Sequence, residues 1–160
     1  MTESSPATTP MERLRSLNID LPALQPAAGT YIPGVVVGNL LFVSGQTPTV
    51  QGRPTAVGRV DSDVSVAEAR TAARLAALNC LAEAVATVGS LDRVRRIVRL
   101  TGYVRSGPGF SEQPAVVDGA SQLLADIWGA LGRHSRASIG VAELPGGAPV
   151  EIEMVMEISP

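Results

Sequence analysis

Arg136, in the run S-R-A-S-I-G-V-A-E-L-P (135–145), and Glu151, in V-E-I-E (150–153), have the side chains that chemistry on a small acid requires. A guanidinium can hold a carboxylate through two parallel charge-assisted hydrogen bonds. A carboxylate within reach could position or deprotonate a water. Residues 136–143 and 150–158 read as extended segments, separated by Pro145, Gly146 and Gly147, which continue neither strand nor helix. The spacing predicts that the two segments turn back on one another and pair, bringing Arg136 near the carboxylates of the second. Alternation in that second segment puts Val150, Ile152, Met154, Met156 and Ile158 on one face, with Glu151, Glu153, Val155 and Glu157 on the other. Gly45 lacks a Cβ and could turn a backbone N–H toward an anion, although a strand-end bend would need a glycine equally. Backbone groups near Gly45 and Ser138 would complete such a cradle. The competing assignment for Arg136 is a salt bridge to a neighbouring carboxylate. His134 is the only histidine and a candidate general base, with no Asp or Ser placed by the sequence to orient it.

These groups have to be positioned by a sheet and its covering helices. Residues 31–37 and 40–44 are β-branched or apolar runs around Gly38-Asn39, which predicts a two-residue hairpin. Residues 47–64 read as a long loop with a short strand at 56–60. Ser65-Val66-Ala67-Glu68 is a capping box. Beyond it Ala69, Ala72, Ala73, Ala76, Cys80, Ala84 and Val88 keep helical spacing up to Gly89. Residues 91–105 alternate as a strand, with Val94, Arg96, Val98, Leu100 and Val104 on one face and Arg95, Ile97, Arg99, Tyr103 and Arg105 on the other. Cross-strand pairing of Arg95 or Arg99 with Glu153 or Glu157 would satisfy those charges. A second helix is expected from about Ser111 to Gly132, its apolar stripe running from Val116 to Leu131 and including Trp128 as core packing. The order β-β-(β)-α-β-α-β-β implies an α+β domain, a mixed sheet of about six strands with two helices on one face. The mixed character of the second sheet face suggests that it meets another subunit.

A chain of 160 residues is the size of one ordinary domain. Residues 1–28 form an N-terminal leader, disordered over 1–10 with a short helix at 11–17, and residues 29–160 form the domain. The net charge of −2 offers no basic field for nucleic acid, and 3% aromatic residues leave little for stacking bases. Arg93, Arg95, Arg96 and Arg99 divide between strand faces and read as solvated or paired. A single cysteine, Cys80, excludes an intrachain disulfide and a Cys-rich metal site. Its place in an Ala/Leu-rich helix marks a buried, inert thiol. No run of about 18 apolar residues and no signal-like N-terminus is visible, so a cytoplasmic protein without membrane association is expected. Neither a P-loop, a dinucleotide glycine fingerprint, a G-x-S-x-G elbow nor His/Cys metal spacing is present, and no cofactor is implied.

The segment 135–153 resembles the C-terminal signature of the Rid (YjgF-like) family. The resemblance extends to G-N-L-L-F-V-S-G-Q-T-P (38–48), L-D-R-V-R-R-I-V-R-L-T-G-Y-V (91–104) and F-S-E-Q-P (110–114), and so covers about residues 29–158. It implies the chorismate-mutase-like fold and a homotrimer with clefts between subunits. It implies hydrolysis of small 2-imino or 2-enamino acids to 2-keto acids and ammonia, without cofactor. Arg136 and Glu151 match positions used catalytically in active members, Tyr31 a tyrosine of the same cleft, and Ser138 stands where a cysteine is common. The segment 110–114 departs from the asparagine-bearing segment of archetypal deaminases, which leaves substrate size open. The alternatives are a non-catalytic trimer binding a small carboxylate metabolite, or a specialised hydrolase or isomerase step in a biosynthetic pathway.

Overall fold

A five-stranded sheet runs from edge to edge through β1 (Gly34–Val37), β2 (Leu40–Gln46), β7 (Val150–Ile158), β5 (Val94–Arg105) and β6 (Ser135–Val141) in a computed structural model that describes residues 8–160. The pairs are antiparallel except β5 with β6. A separate two-stranded ribbon joins β3 (Thr49–Val50) to β4 (Arg53–Pro54). The main sheet thus has five strands where about six were expected, and the short strand expected at 56–60 is replaced by this earlier ribbon. Val60 makes only single bridges to Val64 and Ser106.

The strands expected to form a C-terminal hairpin do not touch one another: β5 lies between them, antiparallel to β7 and parallel to β6. The pairing follows from the crossover. Parallel strands need a long connection, and α3 (Gln113–Trp128) supplies it between β5 and β6. A single 3-10 turn, Pro145–Gly147, then carries the chain past β5 to its other side.

The helices α2 (Val66–Val88) and α3 pack on one another and cover one sheet face. Ser65 accepts from the Glu68 N–H while the Glu68 carboxylate accepts from the Ser65 N–H, closing the expected capping box. The small side chains of α2, Ala69, Ala73, Ala76 and Ala77, are buried without residual exposure and let the helix lie close. Gly119 of α3 sits where a Cβ would strike the backbone carbonyl of Arg70, so the two helices meet backbone to backbone. By length and composition α2 is the one described helix that could cross a bilayer; here most of it is buried against the sheet and α3. Cys80 is buried within it, and burial pushes its thiol pKa up.

Core residues of β5 are Val94, Ile97, Leu100 and Val104. This differs from the simple alternation read in the sequence, because bulges between Val94 and Arg96 and between Ile97 and Arg99 shift the phase. Ile97 thereby turns inward and Val98 outward. The second helix starts at Gln113 rather than Ser111, and Leu131 is exposed in the 3-10 turn that follows it. Trp128 is core, its indole N–H donating to the Val94 carbonyl at 3.1 Å.

Near the N-terminus, α1 (Pro10–Ser16) matches the expected short helix and adds Leu14 to the core. Its Met11 N–H donates to the Asp92 carboxylate and Arg13 Nε to the Asp126 carbonyl, each at 2.9 Å. The expectation of disorder over 1–10 falls mainly on residues 1–7, which lie outside the described residues.

Candidate functional site

The predicted site residues divide between the two faces of the sheet. Glu151 and Gly45 are brought together on the face without helices. Glu151 stands opposite Tyr103 on β5 while its neighbours Val150 and Ile152 point into the core. The irregularity in β2 between Val43 and Gln46 turns Gly45 toward it, so closely that a Cβ on Gly45 would overlap the Glu151 carboxylate. Asn79 of α2 holds the chain just beyond this bend, donating to the carbonyls of Thr47 at 2.9 Å and Thr49 at 3.1 Å.

Glu151 is half-buried, and no hydrogen bond to its carboxylate is present among the described residues. Burial, and then the like charge of Glu153, push its pKa above the ordinary carboxylate value. Glu153 accepts from the Tyr103 hydroxyl at 3.0 Å, and burial together with that bond raises the tyrosine pKa. Beside this cluster lies a cavity of about 410 Å³ lined by Ile32, Phe42, Ser44, Arg99, Thr101 and Glu153. Arg99 forms no ion pair among the described residues, so the cross-strand pairing expected of it with Glu153 or Glu157 is absent. The bulge beside it sets Arg99 opposite Val155 instead. Tyr31 is exposed and immediately precedes Ile32 and Pro33, which line the cavity.

Arg136 lies on the helix-covered face at the sheet edge. Its register partner is Leu100, which is fully buried beneath the helices. Arg136 Nη1 donates to Asp118 Oδ1 at 2.6 Å and to Ser121 Oγ at 3.1 Å, both on α3. The two α3 residues are three apart, on one helical face. Ser138, two residues along β6, shares this face, and its buried hydroxyl has no hydrogen-bond partner among the described residues. Arg136 and Glu151 are therefore not neighbours within one chain.

The sequence placed no partner for His134, and the fold supplies one. His134 Nε2 is 3.0 Å from Ser121 Oγ and Nδ1 is 2.6 Å from the Gly132 carbonyl oxygen. Because a carbonyl only accepts, Nδ1 carries the proton and the neutral ring accepts at Nε2 from Ser121. Burial is the main cause that lowers the His134 pKa; Arg136 adds to it and the Gly132 bond opposes it. A cavity of about 480 Å³ opens beside this network and is also lined by Arg70, Gln122 and Arg133. The signal that could have found Ser121 is the polar series Asp118, Ser121, Gln122 at helical spacing, flanking the apolar stripe of Val117, Ala120 and Leu124.

This α+β fold, with two helices on one face of a mixed sheet, is that of the YjgF/Rid family, and the chain belongs to that family. Residues 11–148 match the family model described as "YjgF/chorismate_mutase-like, putative endoribonuclease". Among curated proteins, Protein TCP17 of Trypanosoma cruzi is 40% identical over 147 residues, covering 91% of this chain and 92% of that one. Among solved structures, Atu1372 of Agrobacterium tumefaciens, described as of unknown function, is 44% identical with a TM-score of 0.84, covering 94% of this chain and 92% of its own. A protein of Shewanella oneidensis described as a putative endoribonuclease is 36% identical with a TM-score of 0.90, covering 94% and 99%.

Proposed function

We propose that the protein hydrolyses small 2-imino or 2-enamino acids to 2-keto acids and ammonia without a cofactor. The observation that carries this reading is Glu151: a half-buried carboxylate with a raised pKa, pressed against Gly45 and without a hydrogen-bond donor among the described residues. Burial weakens its solvation and strengthens it as a base for a single water. Water adds to the imine carbon, its proton passing to Glu151, and Glu151 returns that proton to nitrogen. The resulting carbinolamine expels ammonia and leaves the keto acid. Arg136 holds the substrate carboxylate through Nη2 and Nε, which have no partner among the described residues, while Asp118 and Ser121 fix Nη1. Tyr31 and backbone groups at Gly45 and Ser138 complete the cradle.

Because one chain sets Arg136 and Glu151 on opposite faces of its sheet, a site using both draws them from different chains. A homotrimer with clefts between subunits meets this requirement. The exposed Val35, Phe42 and Ile139 on the uncovered face fit burial against another copy. The RNA cleavage suggested by the family description finds no support in a net charge of −2 and 3% aromatic residues.

The test is release of keto acid from 2-iminobutyrate generated in situ, with wild type and Glu151→Gln. Acceleration over the spontaneous reaction by the wild type alone supports the reading; equal rates with and without protein sink it. A second reading, a non-catalytic trimer binding a small carboxylate, is favoured by the separation of Arg136 from Glu151 on opposite sheet faces of the one chain.

A further inference from the structure

The cavity beside Arg136 has an excess of positive charge. Three guanidiniums line it, those of Arg70, Arg133 and Arg136, against the one carboxylate of Asp118. Asp118 is already paired with Arg136 at 2.6 Å. Arg70 and Arg133 make no ion pair among the described residues. His134 donates through Nδ1 to the Gly132 carbonyl, and burial lowers its pKa, so it adds little positive charge at neutral pH. Glu157 lines a second cavity that shares Arg133 and His134 with the first, and Arg96 lines it too. One monocarboxylate at Arg136 therefore leaves two cations facing the same space without a counter-charge.

The lining also disfavours an aliphatic side chain. Among the described residues Ala125 and Gly132 are its only apolar members, so a butyl or isobutyl group placed there would gain little from burial. A second carboxylate would instead meet planar donors suited to it.

We infer that the ligand held at Arg136 is a short dicarboxylate, a 2-imino acid with an acidic side chain of the 2-iminosuccinate or 2-iminoglutarate type. The inference rests on the proposed role of Arg136 as carboxylate anchor and names the substrate class that follows from the cations around it. One carboxylate binds Arg136 and the other is received by Arg70 and Arg133.

Equilibrium titration with the stable product analogues separates this inference from the deaminase reading. At about 150 mM salt, where unspecific attraction is screened, 2-oxoglutarate is expected to bind at least about tenfold more tightly than 2-oxobutyrate, a difference of about 1.4 kcal/mol. The Arg70→Gln/Arg133→Gln double variant is expected to lose that preference. Arg15→Gln/Arg95→Gln removes the same charge from exposed positions elsewhere and is expected to keep it. Equal or weaker binding of 2-oxoglutarate, no binding of either acid, or a preference that survives Arg70→Gln/Arg133→Gln overturns the inference. Hydrolysis is then followed with 2-iminoglutarate and 2-iminobutyrate. Selective dicarboxylate binding without hydrolysis of either refutes the deaminase reading alone. Hydrolysis of 2-iminobutyrate with no dicarboxylate preference refutes the substrate class alone.

Discussion

Replacing Arg136 with lysine keeps the charge and removes the planar, two-point donor geometry, so it separates an anchor for substrate from a strut for the fold. The structural contribution can be bounded from exposure. The Arg136 and Asp118 side chains retain 24% and 48% of their accessible surface, and ion pairs so open to solvent contribute at most about 1 kcal/mol. Lysine can still reach a carboxylate, so the expected loss is below that bound, a melting shift of at most about 2–4 °C for a chain of this size. Loss of a bidentate contact to a substrate carboxylate is larger, about 1.5–3 kcal/mol, or roughly 10- to 150-fold in kcat/KM. Asp118→Asn is the companion variant: it frees Nη1 without touching the proposed substrate-facing nitrogens. Thermal unfolding and keto-acid release are measured on the same preparations. Arg136→Lys is expected to lose activity out of proportion to stability, and Asp118→Asn to lose much less. An Arg136→Lys protein within about threefold of wild-type activity, or activity and stability falling in step in both variants, would refute the anchor role.

The raised pKa of Glu151 should displace the acid limb of the kcat/KM profile above the ordinary carboxylate range, because the base works only when ionised; a limb at the value of an exposed glutamate would contradict its assignment. The same shift fixes the sign of a stability effect. Ionisation is harder in the folded chain, so Glu151→Gln should equal or exceed wild type in thermal stability at neutral pH, with any gain vanishing as pH falls below the unfolded glutamate value. Gly119→Ala should cost about 1–3 kcal/mol in denaturant unfolding, because the new methyl meets the Arg70 carbonyl rather than a movable side chain; a neutral outcome would show that α2 and α3 can separate freely. The assembly should have a solution mass near three times 16.5 kDa. Co-refolded Glu151→Gln and Arg136→Ala chains, each inactive alone, should recover activity at about a quarter of the clefts by random assortment. A monomer, or no recovery after confirmed mixing, would place the site within one chain. Activity should be insensitive to EDTA, and loss on chelation would overturn the water-activation scheme.

The features legible in the sequence are those whose causes are local. The capping box at Ser65 and Glu68, the turn at Gly38 with its positive φ of 60° and the apolar stripe of α3 each depend on residues within a turn or two of one another. The signature around Arg136 and Glu151 likewise marked the family and the residues to watch. Their separation was not legible. Whether β6 pairs with β7 or with β5 depends on which partner buries more surface once α3 has crossed the sheet, and no residue in the Pro145–Gly147 turn encodes that choice. The bulges that turn Ile97 inward and Val98 outward shift the strand phase by a residue, and alternation cannot register such a shift. The Ser121, His134 and Arg136 network is the clearest case. Its members come from α3, the turn after it and β6, and only the packing of that helix against the sheet edge brings a hydroxyl within 3.0 Å of an imidazole that the sequence left without a partner.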